Sequence, residues 1–445
     1  MSNKIRISQC MIVKDEEANI RRALSWGKDI MYEQIVVDTG STDRTVEIAE
    51  EMGAKVFHFE WINDFSAAKN YALDQAKGDW IAFLDADEYF SDEDAKKIPS
   101  IIARLEKVTP ASKRPVIIRT PLANLNDAGG VDSMAVQDRL FRRMSKLRYC
   151  NQIHESLDES GLDGRVFSAE DMLTILHTGY ANEVFLEKHK AERNISILEQ
   201  VVEENPENYD AWLYLGHSYV QKGQFDLAEI AYYKVLKNVR KISGKKLKEN
   251  FFANFLRFQF KYRKKSGEKE VVLEIYNKAC DFACDSPDGE YWIGIWMINN
   301  GNVQEGVFHL ERLLMILEGN SENAVLTIPG GIAKVYEGLF RADVLLNRLA
   351  EAVRYGALCL RAEPFKNIEI LIGLLQIFGN ESGDRQTAEA SMTFLSKLYD
   401  FSKAKDRLFL MDVSEKAHFQ ELKNCLSVIL SQEEKTFLQD LQNKK

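Results

Sequence analysis

The sequence predicts an α/β domain built on a mostly parallel sheet, followed by an all-α array of stacked helical hairpins. Two observations predict this. Up to about residue 107, short β-branched runs alternate with helix-like stretches, and a βαβαβαβ order closes into a parallel sheet with helices on its faces. From about residue 183 the apolar spacing is helical nearly to the end of the chain.

The first strand is "IRISQCMIV" (5–13), the second "QIVVD" (34–38), the third "KVFHF" (55–59) and the fourth "WIAFL" (80–84). Between them lie "EEANIRRALSW", "DRTVEIAEEMG" and "DFSAAKNYALDQAKG". Ser41, Thr42 and Asp43 are N-cap candidates for the second of these helices and Gly53 its end; Gly78 closes the third. Beyond residue 107, "RPVIIRTPLANL" and "MAVQDRLFRR" read as further strands. "LRYCNQIHESL" and "DMLTILHTGY" follow, adding mixed or antiparallel strands at the sheet edge.

In the helical half, "NPENYDAWLYLGHSYVQKGQFDLAEIAYYKVL" carries Trp212, Leu215, Gly216, Tyr219, Gly223, Phe225, Ala228 and Tyr232. These spacings match the tetratricopeptide repeat, whose small residues let two antiparallel helices approach closely. Weaker echoes flank it: Gly294 and Gly301 repeat the interval of Gly216 and Gly223, Pro364 follows Ala352, and Pro206 precedes Trp212. The expected organisation is a sheet domain over 1–180, a tetratricopeptide-like α-solenoid over 183–435, and a polar tail over 436–445. Two Lys-rich runs, 240–249 and 261–270, have Glu interleaved and read as solvated helix ends and a loop.

A chain of 445 residues suffices for two or three cores. Its net charge of -10 argues against nonspecific affinity for nucleic acid or anionic membrane. No apolar run is long enough to cross a bilayer, and the N-terminus lacks a signal-peptide core. The 6 cysteines are scattered without a C-x-x-C pair, so a reducing, cytoplasmic protein is expected. Cys280 and Cys284, four apart, read as two small buried residues on one helical face.

The chemistry centres on "GDWIAFLDADEYF". An apolar strand runs straight into Asp85, Asp87 and Glu88, and clustered carboxylates are costly to desolvate without a cation. If the strand continues, Asp85 and Asp87 share a face beyond its carboxyl end, where ligands of open parallel sheets bind. Two carboxylates there can share a hard divalent cation; alone, the pattern is equally that of a solvated strand end. Glu88 reads as a helix-entry or solvent-facing acid. Asp38, ending the second strand, can accept a hydrogen bond from a base N–H or a ribose hydroxyl. Lys69 and Asn70 enter the helix before the fourth strand, where a cation could face a diphosphate.

Together "MIVKDEEANI", "VVDTGSTDRT", "WINDFSAAKNYAL" and "GDWIAFLDADE" resemble, in order and spacing, glycosyltransferase family 2, over about residues 5–180. "RLFRR", "NQIHESL" and "ILHTGY" look like later motifs of a bacterial branch fused to tetratricopeptide repeats. That branch includes enzymes that glycosylate cysteine or serine of glycocin-type peptides. The resemblance implies a GT-A fold and inverting transfer from a nucleotide-sugar, expected to be a UDP-sugar, with Mn²⁺ or Mg²⁺. Asp38 would match the base- or ribose-binding aspartate, and Asp85 and Asp87 the D-x-D pair, with Asp87 in direct metal contact. Lys69 stands where many relatives have arginine, and Thr39 where many have a second aspartate.

An inverting transfer also needs a base to deprotonate the acceptor. Glu155 in "IHES" is the candidate and Asp138 in "QDRLF" the second choice. The resemblance suggests His177 as a metal or diphosphate ligand, with His154 the other possibility. A repeat domain presents concave surfaces, so a peptide or protein acceptor is expected, or a homodimer through the repeats. The alternatives are a cell-surface glycan acceptor and a non-catalytic, repeat-based interaction protein. Nucleotide transfer is disfavoured because the chain lacks a Gly- and Arg-rich N-terminal loop.

Overall fold

The computed structural model describes residues 5–110, 113–126, 129–162, 165–178, 183–263, 268–284, 286–319, 326, 328–381 and 383–436. The chain divides into two compact units, Met1–Ala231 and Tyr232–Lys445.

The first unit begins with β1 (Ile7–Val13), α1 (Ile20–Ser25), β2 (Glu33–Asp38), α2 (Thr45–Glu51), β3 (Lys55–His58), α3 (Phe65–Gln75), β4 (Trp80–Phe83) and β5 (Glu88–Phe90). It continues with α4 (Asp92–Val108), β6 (Ile117–Leu125), β7 (Val131–Arg142), β8 (Tyr149–Cys150), β9 (Ser156–Leu157), β10 (Val166–Ser168) and β11 (Ile175–His177). Three helices follow, α5 (Glu183–Glu204), α6 (Tyr209–Lys222) and α7 (Phe225–Lys237), the last containing the division between the units.

The main sheet has the order β3-β2-β1-β4-β7-β6-β11-β5, with β10 beside β6. Strands β1 to β4 are mutually parallel, as their βαβ order requires, and β7 joins β4 antiparallel. This is the expected mixed, GT-A-like sheet. Strand alternation explains why every residue of β4 is apolar. Trp80, Ala82 and Leu84 pack with Ile98 and Ile102 of α4 on one face. Ile81 and Phe83 pack with Ala72 and Leu73 of α3 on the other.

Two local signals resolve differently from their sequence reading. Gly78 does not cap α3, which has already ended at Gln75. A Cβ there would lie 2.6 Å from Ser8 Oγ and 2.7 Å from Ser8 N, so Gly78 permits a close approach to β1. At the start of α2 only Asp43 serves the helix, accepting from Thr45 N at 2.9 Å. Thr42 N donates instead to Asp15 Oδ1 at 2.7 Å, and Ser41 Oγ accepts from Asp15 N at 3.0 Å. Gly53 does end α2, in the left-handed region at φ +87°.

Helices α5 and α6 pack within the first unit. The guanidinium of Arg193 lies 4.8 Å over the Phe65 ring, and the rings of Tyr214 and His154 stack at 4.0 Å. The compact unit therefore continues past the boundary near residue 180 suggested by composition. Residues 179–182, where that boundary falls, and 437–445 of the expected tail lie outside the described residues.

The second unit holds α8 (Lys245–Tyr262), α9 (Glu268–Asp281), α10 (Pro287–Asn299), α11 (Val303–Gly319) and α12 (Gly331–Leu345). After these come α13 (Leu349–Ala362), α14 (Ile368–Glu381), α15 (Arg385–Leu395), α16 (Ala404–Lys416) and α17 (Gln420–Val428). Its hairpins close through small residues, as the repeat pattern requires. A Cβ on Gly306 would lie 2.7 Å from Gly294 O, where α10 and α11 cross. Gly301 turns the chain between them at φ +85°, as Gly223 does after α6 at φ +78°. The cysteine pair departs from expectation: α9 ends at Asp281, Ala283 turns the chain at φ +49°, and Cys284 is buried while Cys280 is exposed. All 6 cysteines are free thiols. Among the described residues, no helix is long and apolar enough to cross a membrane.

Candidate active site

An open cleft of about 630 Å³ lies beyond the carboxyl ends of β1 and β4. It is lined by Glu16, Thr39, Lys69, Asp85, Asp87, Arg139, His154, Glu155 and His177, together with Lys190, Arg193 and Asn194 from α5. Ligand sites of open α/β sheets occupy this position.

The carboxylates that end β4 are met first by the protein's own cations. Arg139 Nη2 lies 2.5 Å from Asp85 Oδ2 and 2.5 Å from Glu88 Oε1, bridging the two acids. Lys69, 1% exposed, sets its Nζ 3.4 Å from Asp85 Oδ1 and 2.7 Å from Glu155 Oε1. The chain of charges Glu88–Arg139–Asp85–Lys69–Glu155 runs along the cleft floor, with Glu88 buried behind it, and the rings of Phe83 and Tyr149 each lie 5.2 Å from the Lys69 ammonium. Burial would push the Asp85 carboxyl up, but Arg139 and Lys69 outweigh it and hold Asp85 well below the usual carboxylate range. Glu88 goes the other way, raised mainly by burial and further by the nearby Asp85. Glu88 is thus not a solvent-facing acid but a buried one on β5, accepting also from Asp85 N at 3.1 Å. Asp85, although 39% exposed, is thus held by two cations of the protein, whereas Asp87, 23% exposed, pairs with a histidine instead.

Asp87 and His177 meet across the antiparallel pair of β5 and β11. Asp87 Oδ2 lies 3.1 Å from His177 Nε2, and both side chains keep about a quarter of their surface exposed. His177 Nδ1 lies 2.7 Å from Asn124 Oδ1, which fixes the ring plane. The hydrogen bond to Asp87 raises the imidazole pKa against the opposing effect of burial. Glu16, on the other side of the turn, is raised mainly by its own burial and further by Asp87 and Asp85.

The loop carrying Glu155 is anchored at several points. Phe65 N donates to Gln152 O at 2.9 Å, and Ser66 Oγ to Asn151 O at 2.5 Å. Asn151 and His154 both take left-handed backbone conformations, at φ +72° and +52°. His154 stacks on Tyr214 of α6, and burial lowers its pKa. It lines the cleft without joining the Asp87–His177 pair.

Three sequence candidates sit elsewhere. Asp138 occupies the opposite face of β7 from Arg139 and pairs bidentately with Arg119, at 2.8 and 2.7 Å; it is not among the cleft-lining residues. Asn70 holds β8, donating to Tyr149 O and accepting from Tyr149 N, both at 2.9 Å. Asp38 is 5% exposed and caps its own βα turn, accepting from Gly40 N and Ser41 N at 3.2 and 3.0 Å. The neighbouring Thr39 lines the cleft in its place. Sequence reasoning missed Arg139, although "RLFRR" had been singled out, because a one-residue change of register exchanges Asp138 for Arg139. It also missed α5, whose Lys190, Arg193 and Asn194 fall at i, i+3 and i+4, a spacing that marks one helical face.

Residues 8–121 match the glycosyl transferase family 2 model, and residues 185–248 match a tetratricopeptide repeat. The N-terminal part of the chain, over residues 8–121, carries a family 2 glycosyltransferase domain. A TPR repeat-containing protein of Synechococcus elongatus is 36% identical over 230 residues, 50% of this chain and 55% of that protein. The SPbeta prophage-derived glycosyltransferase SunS of Bacillus subtilis is 30% identical over 206 residues, 46% of each chain. The chain thus spans about half the length of these curated relatives. Among solved structures, S. aureus TarS 1-349 in complex with UDP-GlcNAc is 16% identical, covering 65% of this chain and 91% of that one, with a TM-score of 0.33.

Proposed function

We propose that the chain is an inverting, divalent-metal-dependent glycosyltransferase that moves a sugar from a UDP-sugar to a cysteine or serine of a peptide or protein acceptor. The observation that carries this reading is the meeting of Asp87 and His177 opposite Glu155, in one cleft of a family 2 domain.

The residues present fit a hard divalent cation. Neighbouring donors on one such ion sit about 3 Å apart, given metal–ligand bonds of about 2.1 Å. Asp87 Oδ2 and His177 Nε2 are 3.1 Å apart. Among the described residues no three His, Cys, Asp or Glu side chains converge as a closed metal cage. Two protein donors leave the other positions to water and to the donor's diphosphate, the arrangement typical of Mg²⁺ at phosphate sites. Bound there, the cation would offset charge on the departing diphosphate.

Glu155 is the base in this reading, accepting the acceptor proton at a carboxylate oxygen while Lys69 holds the other side of the group. Asp138, held by Arg119 on the other face of β7, is not retained in that role. A thiol acceptor would need the base less, since thiols ionise near pH 8.5 on the order of model values. Asp38, capping the turn beside Thr39, would serve the nucleotide through the shape of that turn. The match to glycosyltransferase SunS and the repeats after the family 2 domain support a peptide acceptor over a cell-surface glycan.

The test is a panel of UDP-sugars with small Cys- and Ser-containing peptides, followed by mass spectrometry with Mg²⁺, Mn²⁺ or EDTA. A hexose mass added to a peptide only with metal is the expected result; no transfer and no donor hydrolysis under any condition would sink the reading. In the same assay, Glu155→Gln is expected to lower kcat about a hundredfold or more while UDP affinity changes little. Equal losses in both would move the base role elsewhere.

A pH dependence follows from His177. Its raised pKa means that below it the imidazolium pairs with Asp87 and a metal must displace that proton. Metal affinity should therefore rise with pH and level off above the shifted pKa. Calorimetric Mn²⁺ titrations from about pH 6 to about pH 8.5 read this directly, and an affinity flat over that range would remove His177 from the metal site.

A further inference from the structure

We infer that the repeat helix α5 supplies the cations that receive the donor's diphosphate, through Lys190 and Arg193. The inference rests on the UDP-sugar reading above and concerns which residues of this chain would grip that donor.

Charge distribution carries the argument. On the sheet side of the cleft, Lys14, Lys69 and Arg139 face Glu16, Asp85, Asp87, Glu155 and the buried Glu88 behind them. That leaves two excess negative charges with the histidines neutral, a poor receptor for a dianion. Two of those three cations are already committed, since Arg139 bridges Asp85 and Glu88, and Lys69 bridges Asp85 and Glu155. One divalent ion can compensate either the carboxylates or the diphosphate, but not both. The two cations of α5 restore the balance.

Geometry agrees. Lys190, Arg193 and Asn194 share one face of α5 and line the same cleft as Asp87 and His177. Among the described residues lining the cleft, Lys14, Lys190 and Arg193 are the cations not held in an ion pair with a carboxylate. Arg193 is steadied over Phe65, at the start of α3, so its guanidinium is positioned without being neutralised. A planar guanidinium in that state suits bidentate contact with phosphate oxygens. The sequence assigned donor binding to Lys69, but that residue is 1% exposed and its ammonium already paired with Glu155 and Asp85.

The experiment measures UDP binding with Mg²⁺ by calorimetry for the full chain, Lys190→Ala, Arg193→Ala and the double variant, with a thermal melt to verify folding. Both side chains lie on the open side of α5, so the melts should coincide. The expected result is a loss of UDP affinity of about tenfold or more in the double variant, a smaller loss in each single variant, and partial recovery in Arg193→Lys. The wild-type affinity should also fall with added salt more steeply than that of the double variant. A double variant that binds UDP within about twofold of the wild type overturns the inference, whatever happens to acceptor KM, and leaves the donor reading intact. A wild-type chain that binds no UDP overturns the donor reading itself and this assignment with it.

Discussion

Replacing Arg139 with glutamine is expected to lower stability by about 3–5 kcal/mol at pH 7, the range for removing one partner of a buried charge cluster. Arg139 keeps only 12% of its side chain exposed and is the shared partner of Asp85 and Glu88, each at 2.5 Å. Without it, Lys69 still offsets Asp85, but Glu88 becomes a buried carboxylate facing another. The pH dependence of the loss identifies its origin. Glu88 already has a folded-state pKa raised above its ordinary value by burial, and loss of Arg139 would raise it further. A raised carboxyl contributes stability that is present below its unfolded pKa and lost as pH rises through its folded pKa. The gap between variant and wild type should therefore narrow as the pH falls from about 7 to about 5. Chemical denaturation at several pH values checks this; a gap of under about 1 kcal/mol at pH 7 would mean that the cluster is effectively solvated.

The second large effect is expected at Asp87. Asp87→Ala should cut metal-dependent turnover by about a thousandfold or more, the scale of several kcal/mol of lost charge stabilisation. It should barely alter the melting temperature, because the partner left behind, His177, is 24% exposed and keeps its contact with Asn124. Asp85→Ala should behave oppositely, with a stability loss accompanying any loss of turnover, since Arg139 and Lys69 would be left facing a gap. Turnover assays and thermal melts on both variants separate the two roles. If Asp87→Ala keeps full turnover, the metal assignment at this pair is wrong.

The contrast between these two aspartates shows what the sequence could reveal. The parallel strands β1 to β4 were legible because their β-branched runs alternate with capped helices of the right length, and the D-A-D turn was legible as an acidic strand end. Which of its acids is held by a buried cation was not, because that depends on Arg139, delivered by an antiparallel strand more than fifty residues away in sequence. Strand β7 illustrates the difficulty: Asp138 and Arg139 are adjacent, the face each takes is set by register against β4 and β6, and no local pattern states that register. Glu88 was misread for a related reason, since a carboxylate buried against a distant arginine looks in sequence like any acid at a helix entry. The hairpin turns of the helical half were easier, because Gly223 and Gly301 record a local backbone requirement.

Helix α5 has a consequence for how such a protein can be inherited. A recombination that joined the first 180 residues to some other partner would carry the whole segment that matches family 2, residues 8–121, and the candidate residues Asp38, Asp85, Asp87, Glu155 and His177. It would leave behind the wall of the cleft that bears Lys190, Arg193 and Asn194, and the Tyr214 ring that supports the loop before Glu155. The first repeat hairpin and the sheet would then descend as one hereditary block, while the helices beyond it stay free to be lengthened, lost or exchanged.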